Sequence, residues 1–263
     1  MGGPMVERLL AAGHPVHLHA RRPEVRARFA ALGATVTDDP HAAVRPAAVV
    51  LVCLYSDAQL REVALTGGLV SSMSPGSVLA VHVTADPATV TDLVDAGRSR
   101  GVEVVDAPVS GTAADIRGGR LTVLLGGEGP AADRVAGVVA AYAGQVVRTG
   151  PVGSAQQVKL LNNVVFTAHV QLLLEAVAAA ESMGVPATVL SRAFAACSAR
   201  SAAAEGVCAV GPVEYARRVA PFLEKDLRTA AATASALGVD LSRLLAATRL
   251  GPLDLRPGTT AST

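Results

Sequence analysis

Tryptophan is absent from these 263 residues, and aromatics of all kinds make up only 3%. Core packing therefore falls to Ala, Val and Leu, within a hydrophobic content of 51%, a composition that suits helices laid on a parallel sheet. Charge is scarce and balanced, with 17% charged residues and a net charge of +1. The balance offers nothing to a nucleic acid or an acidic membrane surface, so neither is expected as a partner. The hydrophobic content excludes global disorder. Cysteine is limited to Cys53, Cys197 and Cys208. The number is odd and no CxxC pairing occurs, which implies buried free thiols in a reducing, cytoplasmic setting and no metal site. No secretory leader is expected in the opening MGGPMVERLLAAG, which carries an early acidic residue and no long apolar core. The run Ala47 to Leu54 is too short to span a bilayer, and Val164 to Ala180 contains His169, Gln171 and Glu175, which reads as a buried soluble helix.

What is present has two characters. From residue 2 to about 149, helices and strands alternate. Helices are expected at Met5–Ala12, Pro23–Leu32, from Asp86-Pro87 to about Arg100, and at Ala131–Ala143. Strands are expected at Pro15–Ala20, Ala48–Leu54, Val78–His82, Val102–Asp106 and Leu121–Leu125. Such alternation implies βαβ units in a doubly wound α/β sheet, here 1–149. From Gly153 a helical pattern runs to Met183, where Gly184 and Pro186 end it. Helices follow at roughly 187–205, 212–236 and 240–248 without a strand, which gives an all-helical second domain over 150–250. The Gly/Pro/Ser/Thr-rich stretch 251–263 is expected to fray.

Several motifs carry chemistry. Lys159 opens a long apolar helix with no other lysine, and Asn163 stands four residues on, so ammonium and carboxamide share one face. A proton donor beside an orienting amide is one reading; a snorkelling lysine at a helix edge is the other. Ahead of them, Gly150-Pro-Val-Gly153-Ser-Ala-Gln156-Gln-Val-Lys159 lies at the expected domain junction, a common place for substrate. Asp106-Ala107-Pro108-Val109-Ser110-Gly111-Thr112 leaves a strand, with a hydroxyl and free amides that can hold a carboxylate. His19-Ala20-Arg21-Arg22 ends the second expected strand position of a dinucleotide-binding unit, and one reading of it is a solvated basic turn. If the unit binds a dinucleotide, an acidic residue there suits a free ribose 2′-hydroxyl and two arginines suit a 2′-phosphate, which places NADP ahead of NAD. Met1-Gly2 precedes the first helix directly, where a strand and Gly-x-Gly-x-x-Gly would open a dinucleotide-binding unit. Gly2 can supply the last of those glycines; the strand and the other two are not in the sequence, and a start about ten residues further upstream is expected from the size of the motif.

GGPM with LLAAGH, DAPVSG, GPVGSAQQVKLLNN and EKDL at 224–227 together resemble the β-hydroxyacid dehydrogenase family, from Met1 to about Leu237. The resemblance implies a Rossmann-like domain, its first strand missing, followed by an all-helical domain joined through one long helix. It implies an oxidoreductase acting on CH–OH groups, moving a hydride between NADP(H) and a short β-hydroxy acid or its aldehyde or keto counterpart. Lys159 would be the general acid–base, its pKa lowered by a dry cleft, and Asn163 its orienting partner. Ser110, Gly111, Thr112 and Lys225 would contact the substrate. Met1, Gly2, Arg21, Arg22, Leu54, Tyr55, Thr84 and Lys225 would line the cofactor. Departures stand at Thr112, where a second Gly is usual, at Tyr55 for Pro, and at Val81 for Asp. Beyond a small-molecule substrate the expected partner is a second copy, as a homodimer or homotetramer. Two alternatives stay open: a non-catalytic binding or dimerising module, and an imine-reducing enzyme, against which Lys159 argues.

Overall fold

The computed structural model describes residues 1–255. They form two compact units that divide between Lys159 and Leu160. The division falls inside the helix Ser154–Ser182 rather than near residue 150, because the first turns of that helix are hydrogen-bonded to the sheet of the first unit.

In the first unit the strands are β1 (His17–His19), β2 (Thr35–Thr37), β3 (Val49–Val52), β4 (Val78–Val81), β5 (Glu103–Asp106), β6 (Val109–Ser110), β7 (Leu121–Gly126) and β8 (Ala143–Gly150). β3, β4 and β5 are parallel neighbours; β7 runs antiparallel to β5 and β6, and β8 runs parallel to β7. β1 and β2 pair in a separate two-stranded parallel sheet. The doubly wound sheet, expected to lack its first strand, is thus in two pieces. Among the described residues no strand joins β1 to β3, and each pairs on one edge alone.

Side chains alternate across the larger sheet as strand geometry requires. Val78 and Ala80 of β4 join Met5 and Leu9 of the helix Gly2–Ala11 and Val135 and Val139 of the helix Gly129–Val139. Leu79 and Val81 face the other way, onto Leu69, Val70, Met73, Val90 and Leu93. Helices therefore cover both faces, as a doubly wound unit demands. All four residues of β4 are buried, whereas β3 alternates buried Val50 and Val52 with half-buried Val49 and Leu51. The apolar run at 48–54 reads as a strand covered on both faces; in the fold its position at the sheet edge leaves one face partly open.

β2 and β8 lie outside the sequence expectation. β2 is three residues long, and β8 is an edge strand, glycine-bearing and half-exposed, so neither carries an apolar pattern.

The second unit is helical: the rest of Ser154–Ser182, then Ala187–Ala196, Ala202–Val210, Pro212–Ala236 and Ser242–Ala247. The helix expected at 187–205 is two helices, the second capped by Ser201, whose hydroxyl accepts from the Ala204 amide. Val164, Val170, Leu173, Val207, Leu223 and Leu227 form its core. Buried Gln171 donates to the Thr248 and Leu253 carbonyls and accepts from the Leu253 amide. Leu255 is buried too, so the segment 251–255, expected to fray, is anchored; residues 256–263 of that expected tail lie outside the described residues. The thiols, expected to be buried, are not: Cys197 and Cys208 are exposed and Cys53 is half-buried. Ser154–Ser182 is long and apolar enough to cross a membrane by length and composition, and more than half of its most apolar stretch is buried within the molecule.

Candidate active site

The carboxyl ends of parallel strands are where ligands bind in open α/β sheets, and most of the sequence candidates collect there. Arg21 and Arg22 follow β1. They line, with Ala20 and Val25, an open hollow of about 470 Å³. The turn itself is held by Arg26, whose guanidinium donates to the Ala20 carbonyl at 2.8 Å and the Arg21 carbonyl at 2.9 Å. Met1 and Gly2 start the helix Gly2–Ala11, whose first amides have no intrahelical partner. A Cβ on Gly2 would come within 4.0 Å of the Cys53 sulfur, which sets this helix end against the chain leaving β3. Burial raises the Cys53 thiol pKa, partly offset by the N-terminal ammonium. Leu54 is half-buried and Tyr55 is exposed beyond β3, the Tyr55 amide donating to Gln59 Oε1. Thr84 is half-buried between buried Val83 and Ala85 after β4.

After β5 the DAPVSG turn is fixed at several points. His82, fully buried, hydrogen-bonds through Nδ1 to the Ala107 carbonyl (2.5 Å) and through Nε2 to the Tyr142 hydroxyl (2.7 Å). A carbonyl only accepts, so Nδ1 carries the hydrogen and Nε2 accepts from Tyr142. Burial lowers the His82 pKa to about 4. Ser110 is half-buried in β6, opposite Thr122. Gly111 has φ +132°, and a Cβ there would press on Leu121 at 3.0 Å. Thr112 caps the helix Ala113–Arg117, its hydroxyl donating to Asp115 Oδ2 (2.7 Å) while Asp115 also accepts its amide. This capping box gives a physical reason for a threonine where a glycine is usual.

Asp106 is wholly buried, and its two carboxylate oxygens accept from the Gly153 amide at 2.7 Å and the Gln156 amide at 2.9 Å. It thus caps, from the end of β5, the helix that carries Lys159. Burial pushes its carboxyl up and these amides pull it back. Buried Gln156 accepts from the Ala85 amide (3.0 Å) and donates to the Val83 carbonyl (2.8 Å). Lys159, 8% exposed, follows one turn later, and Asn163, 7% exposed, one turn beyond it on the same face.

In the second unit Asn163 Nδ2 donates to Asp226 Oδ2 at 2.6 Å, and Lys225 pairs with Asp226 Oδ1 at 2.9 Å. Two sequence candidates are therefore joined through a residue that was not one. Asp106, Gln156, His82 and Asp226 are all absent from the site residues that the sequence suggests. Asp106 and Asp226 sit inside the motifs DAPVSG and EKDL; for Gln156 and His82 the signal is a polar residue in an apolar stretch. Among the described residues no group of His, Cys, Asp or Glu is large enough to hold a metal ion.

Two family models account for nearly all of the chain. Residues 1–150 match the NAD binding domain of 6-phosphogluconate dehydrogenase, and residues 153–251 match the NAD-binding model of NADP-dependent 3-hydroxyisobutyrate dehydrogenase. The chain belongs to the β-hydroxyacid dehydrogenase family. It is an NAD(P)-dependent oxidoreductase of the kind that acts on CH–OH groups. An L-threonate dehydrogenase of Cupriavidus necator is 34% identical over 188 residues, 70% of this chain and 63% of that protein. The solved structure of Mycobacterium tuberculosis 3-hydroxyisobutyrate dehydrogenase with L-serine is 26% identical with a TM-score of 0.80, covering 94% of this chain and 88% of the other. A 3-hydroxyisobutyrate dehydrogenase from Salmonella typhimurium has a TM-score of 0.83 at 26% identity, with the same coverage. The N-terminal end of the first helix, the absence of a Cβ at Gly2 and the arginine-lined hollow fit a dinucleotide.

Proposed function

We propose that this chain moves a hydride between NADP(H) and a short β-hydroxy acid, or its aldehyde or keto counterpart, with Lys159 as general acid–base. The observation that carries the reading is Lys159 itself: a buried ammonium, one turn from Asn163, on a helix pinned to the carboxyl ends of β4 and β5. The nicotinamide, when bound, supplies or takes up the hydride. Met1 and Gly2, at the start of the first helix, would hold its pyrophosphate through the Met1 ammonium and the Gly2 amide, Arg21 and Arg22 would receive a 2′-phosphate through charge-assisted forks, and Leu54, Tyr55 and Thr84 would line the rest of it. Ser110, Gly111 and Thr112 bind the substrate carboxylate, with Lys225 as a further contact. Lys159 gives its proton to the carbonyl oxygen in reduction and removes the hydroxyl proton in oxidation. Asn163 orients that oxygen. L-serine and L-threonate, borne by the names of the similar proteins, are both small carboxylates with a β-hydroxyl, which supports this substrate class. In this reading 1–149 binds cofactor and, through Ser110 to Thr112, the substrate carboxylate, while 150–250 supplies the other substrate contacts and binds a second copy, as a cytoplasmic homodimer or homotetramer.

The test is turnover of L-serine, L-threonate and 3-hydroxyisobutyrate with NADP+ and NAD+, beside reduction of a cyclic imine. Lys159→Ala should lower kcat by about 10²–10⁴-fold, the usual share of a positioned acid or base, and leave NADPH affinity unchanged. Wild-type turnover in Lys159→Ala would refute the assignment. Absence of saturable NADPH binding to the unaltered chain would favour a non-catalytic module.

A further inference from the structure

Gln156 is a fully buried carboxamide with both ends used, and neither bond belongs to its own helix. Its oxygen accepts from the Ala85 amide and its nitrogen donates to the Val83 carbonyl, the two residues that bracket Thr84. Its own amide is held by Asp106, whose second oxygen holds Gly153. Gly126 leaves the room that the Asp106 carboxylate fills, since a Cβ there would overlap it. The start of the helix is therefore fixed along its axis by Asp106 and in rotation by Gln156. Lys159 follows three residues later, before the chain passes into the second unit.

We infer that Gln156 is a positioning residue that sets Lys159 in register with the Thr84 turn, so that the proton is exchanged at the oxygen of the same C–O group whose carbon exchanges the hydride. The inference rests on the proposed roles of Lys159 and Thr84. Gln156 never meets the substrate; it acts through the rotation it imposes on the helix. A misplacement of about 1 Å at a reacting centre can cost about 10²-fold in rate, and the two hydrogen bonds remove the freedom to make it.

The test compares Gln156→Leu, which fills similar space without hydrogen bonds, with Gln156→Glu, which in its protonated form both donates and accepts as glutamine does. Two readouts are taken on the whole chain: kcat and KM for L-serine oxidation with NADP+ across pH, and hydrogen exchange at the Ala85 amide. Expected for Gln156→Leu is a fall in kcat of about 10²-fold, with KM for NADP+ unchanged and faster exchange at Ala85. Expected for Gln156→Glu is wild-type behaviour at low pH in both readouts, lost as the introduced carboxyl ionises and can no longer donate. A space-filling role predicts a lower melting temperature but neither the kcat change nor the pH-dependent rescue, and that result overturns the inference. Loss of activity in Lys159→Ala with unchanged kcat in Gln156→Leu overturns the positioning alone. Full activity in Lys159→Ala, or no turnover by the unaltered chain, overturns the reading of the site, and the inference falls with it.

Discussion

Gly126 is glycine because the Asp106 carboxylate occupies the space a side chain would need. Gly126→Ala should overpack that contact and cost about 1–3 kcal/mol, read as a lower urea midpoint with an unchanged m-value. His82 gives a pH prediction of definite sign. Its pKa is about 4 in the fold against 6.5 for the free side chain, so below pH 6.5 the unfolded chain takes up a proton that the folded chain refuses. Stability should fall as pH drops from 6.5 towards 4, on the order of 3 kcal/mol at the linkage slope of 1.36 kcal/mol per unit. His82→Gln keeps a donor for the Ala107 carbonyl and an acceptor for the Tyr142 hydroxyl but cannot titrate. Chemical denaturation across that range should therefore show a shallower loss in His82→Gln; equal slopes would assign the loss to other groups.

Among the elements, β1 and β3 behave differently from what their sequences suggest. A strand paired on both edges shares its backbone hydrogen bonds with two neighbours, as β4 does, and the pair β1–β2 lacks such support. Opening free energies follow this kind of local pairing and burial. Amides of β1 and β2 should exchange faster than those of β4 under native conditions, measured residue by residue. Equal protection would mean that the pair β1–β2 gains a further partner strand in solution. The long helix shows the opposite case: its hydrophobic pattern marks it plainly, and its placement depends on polar residues. Asp106 and Gln156 tie its start to the first unit, and Gln171 ties the segment after Thr248 to its later turns.

For the whole molecule, the two guanidiniums after β1 and the apolar exposure of the long helix bear on cofactor choice and assembly. Arg21→Ala with Arg22→Ala should weaken NADPH binding by one to two powers of ten, the order expected for lost charge-assisted forks, while NADH binding stays level; a parallel loss for both would assign the arginines to the fold. Val158, Leu161, Val165 and Leu172 are each more than a third exposed on that helix. Contiguous apolar surface of this kind marks association, so light scattering should give at least a dimer mass, and a monomer at micromolar concentration would count against the proposed homodimer.

By itself the sequence determined most of the alternation of strands and helices up to residue 149, though not β2 or β8, and the long helix after it. These are legible because periodicity, caps and turn residues act locally, within a few positions of one another. Tertiary structure alone decided that Asp106 caps a helix from a strand far away in the chain, that Gln156 brackets Thr84, and that Asp226 joins Asn163 to Lys225. Each of these joins groups dozens of residues apart. Pairing of that kind is settled by which buried polar atoms find partners once the chain has packed, and no local pattern encodes it.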